Sequence, residues 1–365
     1  MRETAQRRGV LDSLLHIQHA PNNSRNMLIR ITISLLALCV LGFPGRSPVF
    51  ASSTPTQADH VLLFVLEGVG NDVIQNGTMP VLHKLAQEGA VAWNAQSVSP
   101  PFTVPAMASL LTGLPVKKHR VNQEWETYDF SRSFLRSPTV FDYLDLAGGI
   151  DTSLFIMDER FYQLARPEIY VDTQTCGKAK PQCNPATLVE YIRDYLKKVT
   201  SPGGYNFRIF KIPGLLVAHL PEASDVARKR GWDSRQYKQA LQSVDTAIAD
   251  VMAIYQGYGV LDKTMVMVAG LKGPGAPQAS NAKMGAPRPS PVPWLAWGVN
   301  VKPGYTIPGQ VSIMDVGATV LEALGLETYT EWDSRALTEI FQKRPERRTT
   351  GNETFESRSS TFFNK

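Results

Sequence analysis

The segment His60-Val-Leu-Leu-Phe-Val-Leu66, followed by Glu67 and Gly68, decides the fold of this chain. Its apolar residues follow one another without alternation, and the run has the length of a strand. Such a run is typical of a β-strand that is buried on both faces of a sheet. We therefore predict a central strand that ends at Glu67.

Further segments on either side of this strand continue the pattern. The residues 215–220 and 264–269 form two more apolar runs, while 80–86, 234–255 and 314–324 have helical periodicity. Strands that alternate with helices favour a parallel sheet covered on both faces. The expected fold class is α/β, with a largely parallel central sheet and helices on both of its faces.

The length and composition set the domain organisation. A chain of 365 residues with 43% hydrophobic content can bury a large core within one domain. We place this domain at 59–342, after a polar linker at 52–58 and before a polar tail at 343–365 that is expected to be disordered. The segment 151–214 is rich in proline and glycine, and we interpret it as a small cap or insertion.

The first residues have the features of an export signal. A basic and then apolar stretch at 27–42 precedes Val49-Phe-Ala51, which suits signal-peptidase cleavage, so 1–51 is interpreted as a leader and signal peptide. The apolar stretch is shorter than the ~20 residues of a spanning helix. We therefore expect an exported protein, periplasmic or extracellular, which would contact a membrane only if the signal were retained as an anchor.

Cysteine usage agrees with export. Cys39 lies within the leader, which leaves Cys176 and Cys183 as the cysteines of the mature chain. In an oxidising compartment these two are expected to form one disulfide that closes a short loop. The alternative is a pair of unpaired surface thiols.

The charge does not indicate a nucleic-acid-binding protein. The formal net charge is +5, from 38 basic and 33 acidic residues, and much of the excess lies near the two ends of the chain. A basic patch within the domain would be the expected mark of nucleic-acid binding. We expect no nucleic-acid partner.

A threonine precedes a helix that begins with proline. In the segment 99–113, Thr103-Val-Pro105 leads into an apolar helix that runs to Thr112-Gly113. Taken alone, the Thr103 hydroxyl is a candidate helix N-cap, and the start of a helix also attracts anions. Both interpretations stay open at this point.

Several segments in the same order resemble the type I phosphodiesterase and nucleotide pyrophosphatase family of the alkaline phosphatase-like superfamily. They are the strand end Leu66-Glu-Gly68, the segment Pro101–Pro105 around Thr103, Lys118–Asn122, and the segments Val292–Gly304 and Ser312–Leu326 near the end of the domain. The resemblance extends over about 59–327. It implies an alkaline phosphatase-like fold, a nucleophile at Thr103 and two divalent metal ions, usually zinc.

The resemblance also identifies positions at which the expected metal ligands are missing. Glu67 stands at the family's first aspartate and could coordinate a metal only as a residual, doubtful ligand. The other matched positions carry side chains that are poor zinc ligands: Ser224, Arg228, Gly270, Leu271 and Met284. After Thr103 the only histidines are His119 and His219, and we expect His219 to be a packed, hydrogen-bonded residue rather than a ligand.

These observations leave three functional hypotheses. The first is a catalytically impaired pseudoenzyme with no cofactor, in which Thr103, Asn122 and Arg228 bind a phosphate ester or another anionic small molecule. The second is a weak metal-dependent phosphodiesterase or nucleotide pyrophosphatase that uses Thr103 as its nucleophile. The third is a structural envelope protein, so whether the chain is an enzyme remains open.

Overall fold

A central β-sheet forms the core of the computed structural model, which describes residues 56–127, 129, 131, 134–164, 172–175, 183–201, 212–274 and 291–348. The strands are β1 (His60–Glu67), β2 (Ala90–Val91), β3 (Ala95–Gln96), β4 (Thr152–Ile156), β5 (Asp172–Thr175), β6 (Leu215–Leu220), β7 (Thr264–Lys272), β8 (Pro291–Val292), β9 (Trp294–Gly298) and β10 (Tyr305–Thr306). The described helices are α1 (Asn71–Gln75), α2 (Pro80–Glu88), α3 (Thr103–Thr112), α4 (Val116–His119), α5 (Val140–Gly148), α6 (Pro185–Thr200), α7 (Glu222–Arg230), α8 (Arg235–Gly257) and α9 (Asp315–Ala323).

The sheet is largely parallel, as the sequence predicts. Its eight strands have the order β10-β2-β9-β7-β1-β6-β4-β5. The run from β7 to β5 is parallel throughout, and β9 pairs antiparallel with β7 and β2. The predicted central strand is β1, which lies between β6 and β7.

Helices cover both faces of this sheet because β1 is apolar on both sides. Leu63 and Val65 belong to one buried cluster, together with residues of α3, α5 and α9. Leu62 and Phe64 belong to the other cluster, together with residues of α2, α6 and α8. This two-sided burial confirms the α/β interpretation.

The described part of 151–214 belongs to the central sheet, which corrects the expectation of a cap or insertion. Within it β4 pairs with β6, and β5 pairs with β4, so this segment supplies the outer strands of the parallel run. Leu188 and Ile192 of α6 are buried against the same sheet.

The ends of the domain are more ordered than predicted. Gln57, assigned to the linker, donates from Nε2 to the carbonyl oxygen of Leu324 at 2.7 Å. Arg348, assigned to the disordered tail, donates from Nε to the same carbonyl oxygen at 2.7 Å. Arg347 pairs with the buried Glu322 at 3.0 Å. The boundaries 52–58 and 343–365 are therefore corrected, because 56–58 and 343–348 pack on the domain.

The leader and the cysteine loop lie mostly outside the described residues. The predicted signal peptide at 1–51 is not described, and Cys176 is also outside. The disulfide between Cys176 and Cys183 therefore stays a prediction. Within the described part of the chain, no helix is long and apolar enough to cross a membrane.

Candidate functional site

The candidate site lies where neighbouring parallel strands end. Glu67 ends β1, Leu220 ends β6, and Lys272 ends β7. Because β1 is parallel to both neighbours, the carboxyl ends of the three strands meet at one edge of the sheet. This edge is where open α/β sheets commonly bind ligands.

Thr103 is the first residue of α3 and faces this edge. Phe102 is the N-cap residue and has extended backbone geometry, so Thr103 itself is not the cap. The Thr103 side chain is 1% exposed, and its hydroxyl donates to Oε2 of Glu67 at 3.1 Å. The interpretation of Thr103 as a simple N-cap is wrong, because its hydroxyl bonds to the end of β1 instead.

Lys272 is the residue that sequence analysis missed. It is 7% exposed, and its ammonium group lies 2.6 Å from Oγ1 of Thr103 and 2.9 Å from Oε2 of Glu67. The Thr103 hydroxyl thus accepts a hydrogen bond from Lys272 and donates one to Glu67. A lysine at the end of a strand that is otherwise apolar was the available signal.

A register shift brings Lys272 into the site. Leu66 lies opposite Gly270, but Glu67 lies opposite Lys272, so one extra residue is accommodated in β7. Such an irregularity re-aims the side chains that follow it. Without the shift, the apolar Leu271 would lie opposite Glu67 instead of Lys272.

His219 completes the buried cluster. It lies in β6, is 0% exposed, and places Nε2 at 2.8 Å from Oε1 of Glu67. The ring of Phe161 packs edge-on against the imidazole at 4.6 Å. Nδ1 of His219 is buried and has no hydrogen-bond partner among the described residues. The prediction of a packed, hydrogen-bonded histidine agrees with this placement, although His219 also contacts the functional carboxylate.

The surroundings keep Glu67 ionised. Burial by itself would raise the pKa of Glu67, but the charge of Lys272 and the hydrogen bond from His219 outweigh burial and hold this pKa well below its ordinary value. A carboxylate with a strongly lowered pKa is a weak proton acceptor. Glu67 therefore suits the role of a counter-ion for Lys272 better than that of a general base for Thr103.

A second charged group covers the start of α3. Oε1 of Glu126 accepts a hydrogen bond from the backbone N–H of Val104 at 2.7 Å. Oε2 of the same carboxylate receives the guanidinium of Arg160 at 2.6 Å, and Arg160 also bonds to Asp158 at 2.9 Å. The N–H next to Thr103 is thus already paired with a carboxylate of the chain itself.

Comparison with known proteins assigns the family. The sequence profile described as Type I phosphodiesterase / nucleotide pyrophosphatase matches residues 61–273, which is more than half of the 365-residue chain. The chain belongs to this family. Among curated proteins there is no match.

Solved structures of other proteins share the fold of this chain. One is Ps i-CgsB in complex with k-i-k-neocarrahexaose, at 17% identity and a TM-score of 0.57, with 76% of this chain and 75% of that chain covered. Another is BT1596, a 2-O GAG sulfatase, at 11% identity and a TM-score of 0.60, with 80% of this chain and 76% of that chain covered. At these identities the likeness establishes the alkaline phosphatase-like fold alone.

The structure describes four of the five positions of this phosphodiesterase-family protein at which the resemblance implies missing metal ligands. Ser224 is 2% exposed, and a side chain on Gly68 would meet its backbone at 2.7 Å, so α7 packs directly on the end of β1. A Cβ on Gly270 would lie 2.7 Å from Cδ of Pro293, which leaves no room for an aspartate. Leu271 is 0% exposed, and Met284 lies outside the described residues.

Besides Thr103, the other two residues predicted to bind an anion also have partners within the phosphodiesterase-family chain. Asn122 accepts a hydrogen bond from the backbone N–H of Glu124 at 3.1 Å, at the start of the 3₁₀ helix Gln123–Glu126. Arg228 forms an ion pair with Asp225 on the same helix, α7. Burial raises the pKa of Asp225, the Arg228 charge opposes this, and the negative charge of Glu67 adds to it. The pair therefore belongs to the electrostatic surroundings of Glu67.

The described residues do not fit the zinc pair that the family implies. Among them there is no group of three or more histidine, cysteine, aspartate or glutamate side chains that could hold a metal ion. The position beside Glu67 and Thr103 is taken by the ammonium of Lys272, which has no lone pair for a metal. No catalytic step through zinc follows from this arrangement.

Proposed function

We propose that this chain is an exported, non-hydrolysing member of the phosphodiesterase family, a pseudoenzyme whose former catalytic site binds an anionic small molecule such as a phosphate ester. The observation that carries the first half of this proposal is the double engagement of the Thr103 hydroxyl. Its oxygen accepts a hydrogen bond from Lys272 at 2.6 Å, and its proton is directed to Glu67 at 3.1 Å. The Lys272 hydrogen bond occupies one of the two lone pairs of this oxygen, and the carboxylate that receives its proton is a poor base, so the hydroxyl is poorly activated as a nucleophile.

The weakness of Glu67 as a base supports the same conclusion. Burial raises the pKa of Glu67, but Lys272 and His219 lower it by more, so that it lies far below its ordinary range. Efficient general bases have a pKa near the operating pH. Proton transfer from Thr103 to Glu67 is therefore strongly unfavourable at neutral pH.

The second half of the proposal, anion binding, rests on Arg228. Its side chain is 33% exposed, and that of its partner Asp225 is 44% exposed. Ion pairs as exposed as this one contribute only ~0–1 kcal/mol, so an incoming oxyanion can recruit the guanidinium at small cost. Guanidinium binds phosphate oxygens through a bidentate fork, which suits a phosphate ester.

Activity measurements test the first half. We expect the wild-type protein to hydrolyse an aryl phosphodiester no faster than Thr103→Ala, with and without added zinc. The matched control is Thr112→Ala, at the other end of α3. Turnover that is lost in Thr103→Ala and kept in Thr112→Ala would overturn the proposal.

Binding measurements test the second half. Calorimetry with an aryl phosphate should give an affinity that falls at least ~10-fold in Arg228→Ala, because hydrogen bonds to charged groups contribute ~1.5–3 kcal/mol. Arg230→Ala, on the same helix, provides the control and should bind like the wild type. Equal affinities for all three proteins would reject Arg228 as a ligand-binding residue.

A second candidate function is a weak metal-dependent hydrolase. One observation favours it: Thr103 and the residual carboxylate of Glu67 converge at 3.1 Å at the edge of the sheet. It requires a cation to replace Lys272 between these two groups. Turnover that depends on both zinc and Thr103 would establish this candidate, whereas binding of neither zinc nor an aryl phosphate would favour the structural envelope protein.

A further inference from the structure

Another buried carboxylate lies at the opposite end of β1 from Glu67. The backbone N–H of Ala58, just before β1, donates to the carbonyl oxygen of Ala323 at 2.9 Å, so α9 ends beside the start of this strand. Glu322 lies in the last turn of α9, and its side chain is 3% exposed. A buried carboxylate destabilises the folded state strongly unless cations pair with it. The cations that pair with Glu322 are therefore important for this end of the domain.

These cations come from one basic segment near the end of the domain, residues 343–348. Oε2 of Glu322 lies 3.0 Å from Nη2 of Arg347, and Oε1 lies 3.7 Å from Nε of Arg344. Oε1 has no hydrogen-bond partner among the described residues, so its pairing with Arg344 is electrostatic. In the part of the chain that the structure describes, this segment balances the charge of Glu322.

The same segment supplies hydrogen bonds to the backbone that follows α9. Nη1 of Arg347 donates to the carbonyl oxygen of Leu326 at 2.6 Å. Arg348 donates from Nε to the carbonyl oxygen of Leu324 at 2.7 Å, and from its backbone N–H to that of Gly325 at 2.9 Å. Carbonyl groups at the end of a helix lack partners within the helix, and the helix dipole favours cations there. The segment therefore binds the end of α9 through both charge and hydrogen bonds.

Asn300 binds the beginning of this segment. Its Nδ2 donates to the carbonyl oxygen of Lys343 at 2.7 Å, and its Oδ1 accepts from the N–H of Lys343 at 3.0 Å. The same Nδ2 donates to the carbonyl oxygen of Thr56 at 2.6 Å, so one side chain joins the segments at the two ends of the domain. The backbone of Asn300 has a φ of 59°, in the left-handed region that glycine and asparagine tolerate best. Glycine is therefore the substitution that removes these hydrogen bonds without straining the backbone.

The contacts of 343–348 are polar rather than apolar. Within this segment Pro345 is the one buried residue. The side chains of Arg344 and Arg347 are 75% and 36% exposed, although both pair with a buried carboxylate. Segments with few buried apolar contacts open locally at a lower free-energy cost than the core of a domain. The stability of this segment should therefore depend on its polar partners.

We propose that residues 343–348 form a clasp that closes over the end of α9, is held closed by Glu322 and Asn300, and opens without unfolding of the domain. Opening breaks the bonds to α9 and frees the basic side chains of the segment. A trypsin-like protease must take up a basic side chain in its S1 pocket, which an arginine bound to α9 cannot enter at the same time. The closed clasp therefore protects the peptide bonds that follow its basic residues. This conformational device goes beyond the proposed function and lies at the opposite end of β1.

Limited digestion of the full-length protein with trypsin measures this opening. Intact-mass analysis gives the initial rates of cleavage in the clasp, after Lys343, Arg347 and Arg348. Cleavage after Lys238, within α8, is the reference for unfolding of the domain. These rates follow the population of open molecules when opening and closing are faster than cleavage. We expect the clasp of the wild type to be cut at least ~10-fold faster than Lys238, and with a weaker dependence on urea, because local opening exposes less surface than global unfolding.

Two substitutions should open the clasp by different routes. Glu322→Gln removes the buried charge that holds the arginines, and Asn300→Gly removes the hydrogen bonds to Lys343. Each should raise the rate of clasp cleavage at least ~10-fold, because the bonds that keep the segment closed are lost. Glu327→Gln is the matched control, since this exposed glutamate follows α9, and its rate should stay within about threefold of the wild type.

Three results would overturn the clasp. The first is clasp cleavage as slow as cleavage at Lys238, with the same urea dependence. The second is a wild-type rate of clasp cleavage in either Glu322→Gln or Asn300→Gly, and the third is a rate in Glu327→Gln as high as in Glu322→Gln. If Glu322→Gln does not fold, Asn300→Gly and the urea dependence of the wild type decide the question. The digestion measures neither binding nor hydrolysis of a phosphate ester, so its outcome is independent of the proposed function.

Discussion

Lys272 lies opposite Glu67 across the β1–β7 pair, one residue later than the regular register would place it. Leu66 still faces Gly270, so the shift is confined to the last residue pair of the two strands. Its effect is to exchange an apolar side chain for an ammonium beside a buried carboxylate. In this phosphodiesterase-family protein the shift thereby places a cation of the chain itself beside Glu67 and Thr103.

The stability conferred by Glu67 should depend on pH in a defined direction. The pKa of Glu67 is lowered in the folded protein from an ordinary value of 4.5, so its contribution is complete above about pH 4.5 and is lost as the pH falls toward the lowered pKa. We expect Glu67→Gln to cost about 3–5 kcal/mol at neutral pH, because Lys272 loses its counter-ion. Urea unfolding should show this difference to be constant at about pH 6–8 and to narrow below about pH 4.5.

The matched control for this experiment is Glu88→Gln, since the Glu88 side chain is 49% exposed. It should change the free energy of unfolding by less than ~1 kcal/mol at every pH. A Glu67→Gln effect that stayed constant to well below about pH 4 would contradict the assignment of a buried carboxylate–ammonium pair.

His119 should make the protein sensitive to mild acid. Burial lowers the pKa of His119 from 6.5 to about 4, partly against a backbone hydrogen bond. Nδ1 accepts from the N–H of Val121 at 3.0 Å, and Nε2 lies 2.8 Å from Oγ of Ser109, so the neutral imidazole is the form that fits. Stability should be complete above pH 6.5 and fall by about 3 kcal/mol toward pH 4, because the unfolded chain takes up the proton first.

This dependence can be isolated by substitution. His119→Gln should be less stable than the wild type at neutral pH. Its free energy of unfolding should fall less steeply with acid than that of the wild type, as measured by chemical unfolding at several pH values. His83→Gln is the control, since His83 lies at the surface side of α2 and is only partly buried. An unchanged slope in His119→Gln would show that another group is responsible.

Adding a side chain at Gly270 should destabilise the folded protein, because Pro293 occupies the space. A Cβ at this position would lie 2.7 Å from Cδ of Pro293, whereas a Cβ on Gly257 would meet nothing within 4 Å. Gly270→Ala should therefore lower the free energy of unfolding by about 1–3 kcal/mol, while Gly257→Ala should be neutral or slightly stabilising. If Gly270→Ala and the wild type were equally stable in thermal unfolding, Pro293 would be able to move aside and an aspartate could be accommodated at this position.

Glu126 should stabilise the start of α3 through two separate contacts. Glu126→Gln keeps an acceptor for the N–H of Val104 but loses the ion pair with Arg160, and Glu126→Ala loses both. We expect a loss of about 1–3 kcal/mol for the alanine variant and a smaller loss for the glutamine variant. Urea unfolding checks the order, with Glu124→Ala in the same 3₁₀ helix as the comparison. A glutamine variant as unstable as the alanine variant would assign the whole effect to the ion pair.

The elements with strong local signals could be predicted from the sequence. The apolar run at β1 and the helix after Ser234 have hydrophobic patterns that are visible in their own residues, and the structure confirms both elements. The resemblance around Thr103 predicted a site at this residue, and the structure places its hydroxyl against Glu67 at the end of β1. By contrast, β4 and β5 were interpreted as parts of a cap, because short strands inside a glycine- and proline-rich segment have no periodicity of their own.

The sequence by itself determined the parallel α/β fold, the family and the small number of histidines after Thr103, since these follow from residue types and their order along the chain. Only the tertiary structure decided which side chain pairs with the buried carboxylate of Glu67. The pairing of Lys272 with Glu67 depends on a one-residue irregularity between strands that are about two hundred residues apart, and on the burial of both groups. No local pattern encodes such a register, because it is set by how the whole sheet packs.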